Sequence, residues 1–235
     1  MSETVRASGE RVLSAIKGRL IVSCQASKGD PLDDLDTLCR MARAVLQGGA
    51  DGLRAEGARC IAAFRDLTEL PIIGLIKTED SNGEVYITPS FRAAQSISDA
   101  GADVIALDCT RRRLAETEPW PALIARIHKE LERPVCADIA TLDDAALAQA
   151  SGADMIATTL RGYTADTREV HTVDWRFVEE LVSNVSVPVI LEGHVNSPDD
   201  VRRALSMGVH AVVVGSAITR PQSITARFVA ATVPR

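Results

Sequence analysis

The chain has 235 residues, 46% hydrophobic and 25% charged, a balance that excludes gross disorder and leaves ample apolar side chain for a core. Its 26 Lys and Arg against 32 Asp and Glu give a net charge of −6, which argues against a general nucleic-acid binder, because neutralising phosphates needs a basic face. No stretch approaches the ~20 apolar residues of a membrane span, and the polar start Met1–Glu10 lacks the apolar core of a secretion signal.

Aromatic residues make up only 3%, so the core must be aliphatic and alanine-rich. The five cysteines (Cys24, Cys39, Cys60, Cys109, Cys136) are odd in number and have no C-x-x-C spacing. They are expected to be reduced and packed, as in the cytoplasm. No clustered ligands for zinc are evident, so no metal is expected.

In chain order, residues 1–18 are expected to form an N-terminal helix or extension. A first apolar run begins at Leu20 (LIVSC). Leu35–Gln47 follows with apolar residues at Leu35, Leu38, Ala42, Val45 and Leu46, a helical stripe. Further runs begin at Gly52 (GLRAE), Ile72 (IIGLIK), Val104 (VIALD), Pro134 (PVCADIA), Met155 (MIATTL) and Val187 (VPVILEG). Pro198–Met207 reads as a helix, with Ser197 as N-cap, Pro198 in the first position and Gly208 as C-cap. The last run begins at Ala211 (AVVVGSA). The runs recur every ~27 residues, the length of one strand, one helix and two short loops. A Gly-Ala-Asp or Gly-Val-His triplet precedes a strand at Gly49, Gly101, Gly152 and Gly208, which reads as one helix-to-strand turn used four times.

Near-continuous apolar strands alternating with helices predict a parallel sheet with right-handed crossovers. Eight such units without a linker predict one (β/α)8 TIM barrel of the phosphate-binding type, with residues 1–235 as a single domain. An open doubly wound sheet has the same local pattern, but no G-x-G-x-x-G follows the first strand.

In such a barrel, reactive groups sit at the C-terminal strand ends. The runs lead there to Gln25, to Arg54 and Glu56, to Lys77, Asp108 and Asp138, to Thr158 and Thr159, and to Glu192. A lysine after IIGLI and a glutamate after VPVIL sit at the edge of an apolar wall, where burial disfavours both charges and tunes both groups toward proton transfer. The third and seventh strands of an eight-membered ring are opposed, so Lys77 and Glu192 face each other. A substrate between them can lose a proton on one face and regain it on the other. The structural alternative is an ion pair that only holds the barrel together. Gly193 after the seventh strand and Gly215-Ser216 after the eighth suit a phosphate bound through backbone N–H groups, with Arg220 adding a cationic bond. His128, His171, His194 and His210 show no ligand pairing; His128 and His210 read as structural. Arg111-Arg112-Arg113 reads as a solvated loop, and Trp120 and Trp175 as residues packing the starts of outer helices.

The segments LIVSCQ, GLRAEG, IIGLIK, VYITP, VIALD with Cys109-Thr110, ADIAT, TTLRGYT, VILEG and VVGSAITRP resemble the N-acetylmannosamine-6-phosphate 2-epimerases of bacterial sialic-acid catabolism nearly end to end. The resemblance implies interconversion of N-acetylmannosamine 6-phosphate with N-acetylglucosamine 6-phosphate on a (β/α)8 barrel, without metal or organic cofactor. It puts the catalytic pair on Lys77 and Glu192, substrate contacts on Gln25, Arg54, Asp138 and Thr158, and the phosphate site on Gly193, Gly215, Ser216 and Arg220. The expected partner is a phosphosugar, with neither nucleic acid nor membrane involved; a homodimer is compatible with the sequence, which does not show oligomeric state.

Two residues depart from the family pattern. His194 stands where the family usually has arginine, and Arg161 where it usually has a small residue. A positive charge shifted between neighbouring loops is one reading of these departures, a pocket for a different sugar another, and they bear on substrate identity more than on reaction type. Three other readings use the same ring of residues: a Schiff-base aldolase or synthase through Lys77, a metal-dependent pentose-phosphate epimerase, for which the strand-end histidines are missing, and a catalytically silent phosphosugar-binding barrel.

Overall fold

A computed structural model of the chain describes residues 3–26, 29–80, 83–115 and 118–232. Its strands are β1 (Leu20–Cys24), β2 (Gly52–Glu56), β3 (Ile72–Leu75), β4 (Lys77–Glu79), β5 (Val85–Ile87), β6 (Val104–Asp108), β7 (Val135–Asp138), β8 (Met155–Ala157), β9 (Val189–Glu192) and β10 (Ala211–Val214). Eight of them, in the order β1-β2-β3-β6-β7-β8-β9-β10, close into an all-parallel barrel, and β4 and β5 form a separate antiparallel hairpin. The eight apolar runs are the eight barrel strands. Ring closure, through Leu20 beside Val212 and Ile21 beside Val213, decides against the open sheet.

Alternation along each strand sorts the core. Ile21, Ile73, Val104, Ala106, Cys136, Met155, Ala157, Ile190, Ala211 and Val213 point inward and pack as one cluster. Their neighbours Val22, Leu53, Ile72, Ile105, Leu107, Ala137 and Ile156 point outward under the helices. The helix Glu3–Ile16 presents Val12 and Ile16 to the inner cluster, so it closes the N-terminal end of the barrel. His210 fastens it, Nε2 donating to the Leu13 carbonyl at 2.8 Å.

The repeated triplet is one device, as expected. Gly49, Gly101, Gly152 and Gly208 have φ of +94°, +101°, +95° and +91°. The N–H after each bonds a carbonyl five residues back: Ala50 to Val45, Ala102 to Ile97, Ala153 to Ala148 and Val209 to Ala204. That is a Schellman-type helix end, which needs a left-handed residue. The third residue then enters the ladder, Asp51 on Leu20, Asp103 on Ile72, Asp154 on Val135 and His210 on Val189. The helix Leu35–Gln47 has the expected limits, with Asp34 as N-cap. The helix after Ser197 runs Pro198–Ser206 with a capping box from Asp200. Its cap is Met207, and Gly208 stands one residue beyond.

Three expectations change. The run IIGLIK leaves the barrel at Leu75, because Ile76 pairs with Thr88 instead of a barrel neighbour: its N–H reaches Thr88 Oγ1 at 3.2 Å and its carbonyl accepts from Thr88 N at 2.7 Å. Lys77 therefore opens the β4–β5 hairpin. Arg111–Arg113 is a 3-10 turn and not a solvated loop. Arg113 is fully buried and donates to the carbonyls of Asp108 at 3.0 Å and Pro89 at 2.8 Å. Arg112 takes Asp108 Oδ2 at 2.7 Å. Thr110 occupies the other oxygen through its N–H at 3.0 Å and its hydroxyl at 2.6 Å. Asp108 is thus consumed inside the wall and does not join the polar ring at the mouth.

Gly74 is closely overlaid, since a Cβ there would meet Ala102 Cβ, in the turn before β6, at 2.7 Å and Ile61 Cδ1, on the helix Ala58–Arg65, at 2.9 Å. Gly74→Ala should lower unfolding free energy by about 1–3 kcal/mol through overpacking, read as a lower midpoint in urea with an unchanged slope.

Candidate active site

The inward register continues up each strand into a cavity of about 440 Å³ at the C-terminal end of the barrel. Ser23 and Gln25 rise from β1, Arg54 from β2 and Glu192 from β9. Gly193, Gly215, Ser216 and Arg220 form the rim after β9 and β10, and Lys77 enters from the hairpin. Of the sequence-predicted residues, Gln25, Arg54, Lys77, Glu192, Gly193, Gly215, Ser216 and Arg220 line this one cavity.

Asp138 and Thr158 do not line the cavity. Asp138 points inward but lies fully buried beneath it, bonded to Arg54 Nη2 at 2.7 Å and to the Thr159 hydroxyl at 2.5 Å. Thr158 has the outward parity, and its hydroxyl ties β8 to β9 by donating to Glu192 O at 2.8 Å and accepting from Glu192 N at 3.0 Å. Thr159 has the inward parity of Met155 and Ala157, lines the cavity and reaches Glu192 Oε2 at 3.2 Å. The two-residue period contained that distinction.

Arg54 is the centre of the site. Its side chain is 1% exposed, with Asp138 Oδ2 at 2.7 Å and Glu192 Oε2 at 3.0 Å. Burial works against its charge, but the two carboxylates outweigh burial and hold the guanidinium protonated. One cation cannot neutralise two anions in a low-dielectric wall. Burial accordingly lifts both carboxyl groups, against the pull of Arg54. Glu192 rises to about 7, with the charge of Asp138 adding to the lift. The pair thus retains a proton near neutrality, with Glu192 the partner open to the cavity. Arg54 Nε and Nη1 make no well-aligned hydrogen bond within the protein among the described residues, so Arg54 keeps donor capacity at the cavity wall.

Lys77 enters the cavity from the hairpin. Burial pulls its pKa down against Glu56, whose Oε2 is 3.6 Å from Nζ, while Arg54 and Arg220 lower it further. Lys77 and Glu192 therefore have separate ionic partners, Glu56 and Arg54, and the barrel-bracing ion pair between them is not formed. Both charged forms are disfavoured, as acid–base work requires.

At the rim, Gly193 and His194 have φ of +93° and +57°. His194 stacks on Tyr163, ring centroids 4.9 Å apart, and donates through Nε2 to Arg161 O at 3.2 Å. Burial lowers its pKa, so the ring is neutral at pH 7. Gly162 leaves no room for a Cβ between Val170 O and the His194 ring. The Arg161 side chain turns away into the outer layer. It binds Asp174 Oδ2 at 2.7 Å and the Ala140 carbonyl at 3.2 Å, and covers the Phe177 ring. The charge has therefore not moved from one loop to its neighbour, and a neutral imidazole and a tyrosine form that wall. Ser23, Tyr163 and Asn196 line the cavity without having been singled out, and Thr159 and His194, noted only as a strand-end residue and a departure from the family pattern, line it too. Among the described residues, no three His, Cys, Asp or Glu side chains converge on a metal-binding point, and no helix is long and apolar enough to cross a membrane.

Fold and cavity define a (β/α)8-barrel enzyme whose mouth carries paired ionisable groups with opposed pKa shifts. The family model described as "Putative N-acetylmannosamine-6-phosphate epimerase" matches residues 38–233. A Clostridioides difficile protein, "Putative N-acetylmannosamine-6-phosphate 2-epimerase", is 44% identical over 94% of this chain and 98% of its own. One from Clostridium perfringens with the same description is 42% identical over 92% and 98%. The solved N-acetylmannosamine-6-phosphate 2-epimerase from Clostridium perfringens superposes with a TM-score of 0.89 at 41% identity, covering 94% of this chain and 96% of that one. Thiamine phosphate pyrophosphorylase from Pyrococcus furiosus, at 19% identity and a TM-score of 0.59, shares the fold alone. The chain belongs to the N-acetylmannosamine-6-phosphate epimerase family, and it is an isomerase.

A carboxyl group with a raised native pKa favours folding below its unfolded value and loses that contribution as pH rises through its folded value. For Glu192 the window is about 4.5 to 7. Urea titrations of wild type and Glu192→Gln should show the variant gaining stability relative to wild type as pH is raised from 5 to 8. A constant difference would show that Glu192 is not lifted.

Proposed function

We propose that the protein interconverts N-acetylmannosamine 6-phosphate and N-acetylglucosamine 6-phosphate by inverting C2, with Lys77 and Glu192 as the two acid–base groups. The observation that carries this reading is their placement in one cavity, Lys77 in the hairpin that follows the third barrel strand and Glu192 at the end of the seventh, with the lysine lowered and the glutamate raised.

In the open-chain sugar C1 is an aldehyde, which acidifies the hydrogen on C2. Neutral Lys77 removes that proton and becomes an ammonium, and the electron pair passes into a planar enolate-type intermediate. Protonated Glu192 then delivers its proton to the opposite face of C2 and becomes a carboxylate. The reverse reaction exchanges the two roles. A proton returning from Lys77 to Glu192 by way of solvent resets the site. Arg54 holds Glu192 in place and supports its carboxylate once the proton has left. Asp138, lying below the cavity, acts on the reaction through Arg54 and not by touching the sugar. Gln25 stands at the mouth as a polar contact for the C1 oxygen.

The phosphate fits the rim after β9 and β10. Gly193 and Gly215 let the backbone come close, and the Gly215 Cα already packs so near β1 that a Cβ would sit 3.3 Å from Ser23 Cβ. Arg220 supplies a cation there. Anchoring C6 in this way sets C2 between the two acid–base groups, so that remote binding energy orients the reaction. The neutral wall of His194 and Tyr163 remains for the acetamido group or the sugar hydroxyls. A phosphorylated substrate and reduced cysteines fit work in the cytoplasm. The family relatives do not favour the Schiff-base, pentose-phosphate or silent-sensor readings.

Lys77→Ala and Glu192→Ala should each lose about 10²–10⁴-fold or more in turnover while circular dichroism stays unchanged. In deuterated water the wild type should place solvent deuterium at C2 of the product. A variant with near-wild-type turnover would defeat the two-base scheme. Unlabelled product would point to a shielded relay or to carbon–carbon cleavage, and borohydride trapping of a sugar adduct on Lys77 would point to an imine. Separately, Arg220→Met should raise KM for the phosphorylated sugar by about tenfold, the loss of roughly one charge-assisted hydrogen bond, with little change in kcat.

A further inference from the structure

Lys77 does not stand on the barrel. It is the first residue of β4, which pairs only with β5 in the register Lys77 to Ile87, Thr78 to Tyr86 and Glu79 to Val85. The place of its amine is therefore set by whatever holds the hairpin, and the hairpin is held from the turn after β6. Arg112 Nη2 donates to the Val85 carbonyl at 2.7 Å and to Asp108 Oδ2 at 2.7 Å. Its Nη1 reaches Glu84 Oε2 at 3.2 Å, and the guanidinium carbon lies 4.3 Å from the centre of the Tyr86 ring. Three successive hairpin residues are thus gripped by one side chain, and the other end of the grip is a fully buried carboxylate on a barrel strand.

We propose that Arg112 is a positioning residue for Lys77, clamping β5 to β6 so that the amine is held at the cavity. This rests on the reading of Lys77 as an acid–base group and extends it to a residue outside the site. Arg112 does not line the cavity, whereas Val85 and Ile87, the residues it and Arg113 hold, do. The route is mechanical: a displaced β5 carries Lys77 with it across the paired register. A misplacement of ~1 Å in a reacting group costs on the order of 10²-fold in rate. Arg113 shares the clamp but is fully buried, so Arg112, whose side chain is 18% exposed, is the residue to change.

The test compares wild type, Arg112→Met and Arg112→Lys. It reads fold by urea denaturation, kcat and KM by assay, and the rate and pH midpoint of Lys77 acetylation by acetic anhydride. Acetylation is followed by mass spectrometry with exposed Lys129 as internal standard. Arg112→Met should lose about 10–100-fold in kcat, with KM within about threefold. The Lys77 acetylation midpoint should move up from its wild-type position, and Arg112→Lys, which keeps a donor for Val85 and Asp108, should recover part of both. A folded Arg112→Met with kcat within twofold of wild type, or with Lys77 acetylation unmoved, overturns the proposal. Were Arg112→Met not to fold, the double variant E84A/Y86L, which removes two of the hairpin contacts and leaves Arg112 in place, is judged by the same two readouts. The acetylation result stands apart from turnover, so active Lys77→Ala would defeat the acid–base reading while the clamp was still judged by the midpoint.

Discussion

One guanidinium between two carboxylates governs this protein. Arg54, Asp138 and Glu192 meet in a buried wall, 2.7 and 3.0 Å apart, and their charges cannot sum to zero unless one acid keeps its proton. Asp138 is sealed beneath the site with a second donor in Thr159, whereas Glu192 faces the cavity. The cost of the unbalanced charge therefore falls on the group that can exchange with a substrate. The pair is best described as sharing its titration. The useful consequence is a carboxylic acid that can still donate near neutrality, made from ordinary residues by placement alone.

Lys77 is handled by a different route. Glutamate is tuned inside the barrel, but the lysine arrives on an appended hairpin whose base is the Ile76–Thr88 pair, Thr88 having φ of +49°. Glu192 and Lys77 thus belong to two structural units, the closed ring and the hairpin appended to it. The clamp uses Arg112 and Arg113. This gives the basic run its physical meaning: charges that read as solvated satisfy backbone carbonyls of the hairpin that no ladder reaches. Buried arginines suit that work because the planar fork bonds several carbonyls at once.

His194 and Arg161 show how a departure from a family pattern has to be resolved in space. Adjacent loops could have exchanged a cation, but Arg161 is committed to Asp174 and the outer helical layer. The neutral Tyr163–His194 stack is what remains at the rim. His194 holds a left-handed backbone to make it, a strain that persists because the Arg161 carbonyl and the Tyr163 ring both fix the imidazole.

The amino-acid sequence by itself determined the eight strands, their alternation with helices, the four glycine turns, and the position of Arg54, Lys77 and Glu192 within or just after three of the strands, because burial on both strand faces, periodicity and left-handed turns are written in local residue choice; closure into a ring was decided by the structure. It also contained the parity that separates Thr159 from Thr158, since the inward face is a two-residue count from Met155. Tertiary structure alone decided that Asp108 and Asp138 are consumed by internal partners, that Lys77 rides a hairpin, and that Arg112 and Arg161 face protein and not solvent or substrate. Those outcomes depend on which distant carbonyl or carboxylate lies within 3 Å of a long polar side chain. Such encounters join residues 84 apart, as for Arg54 and Asp138, and no local pattern carries them.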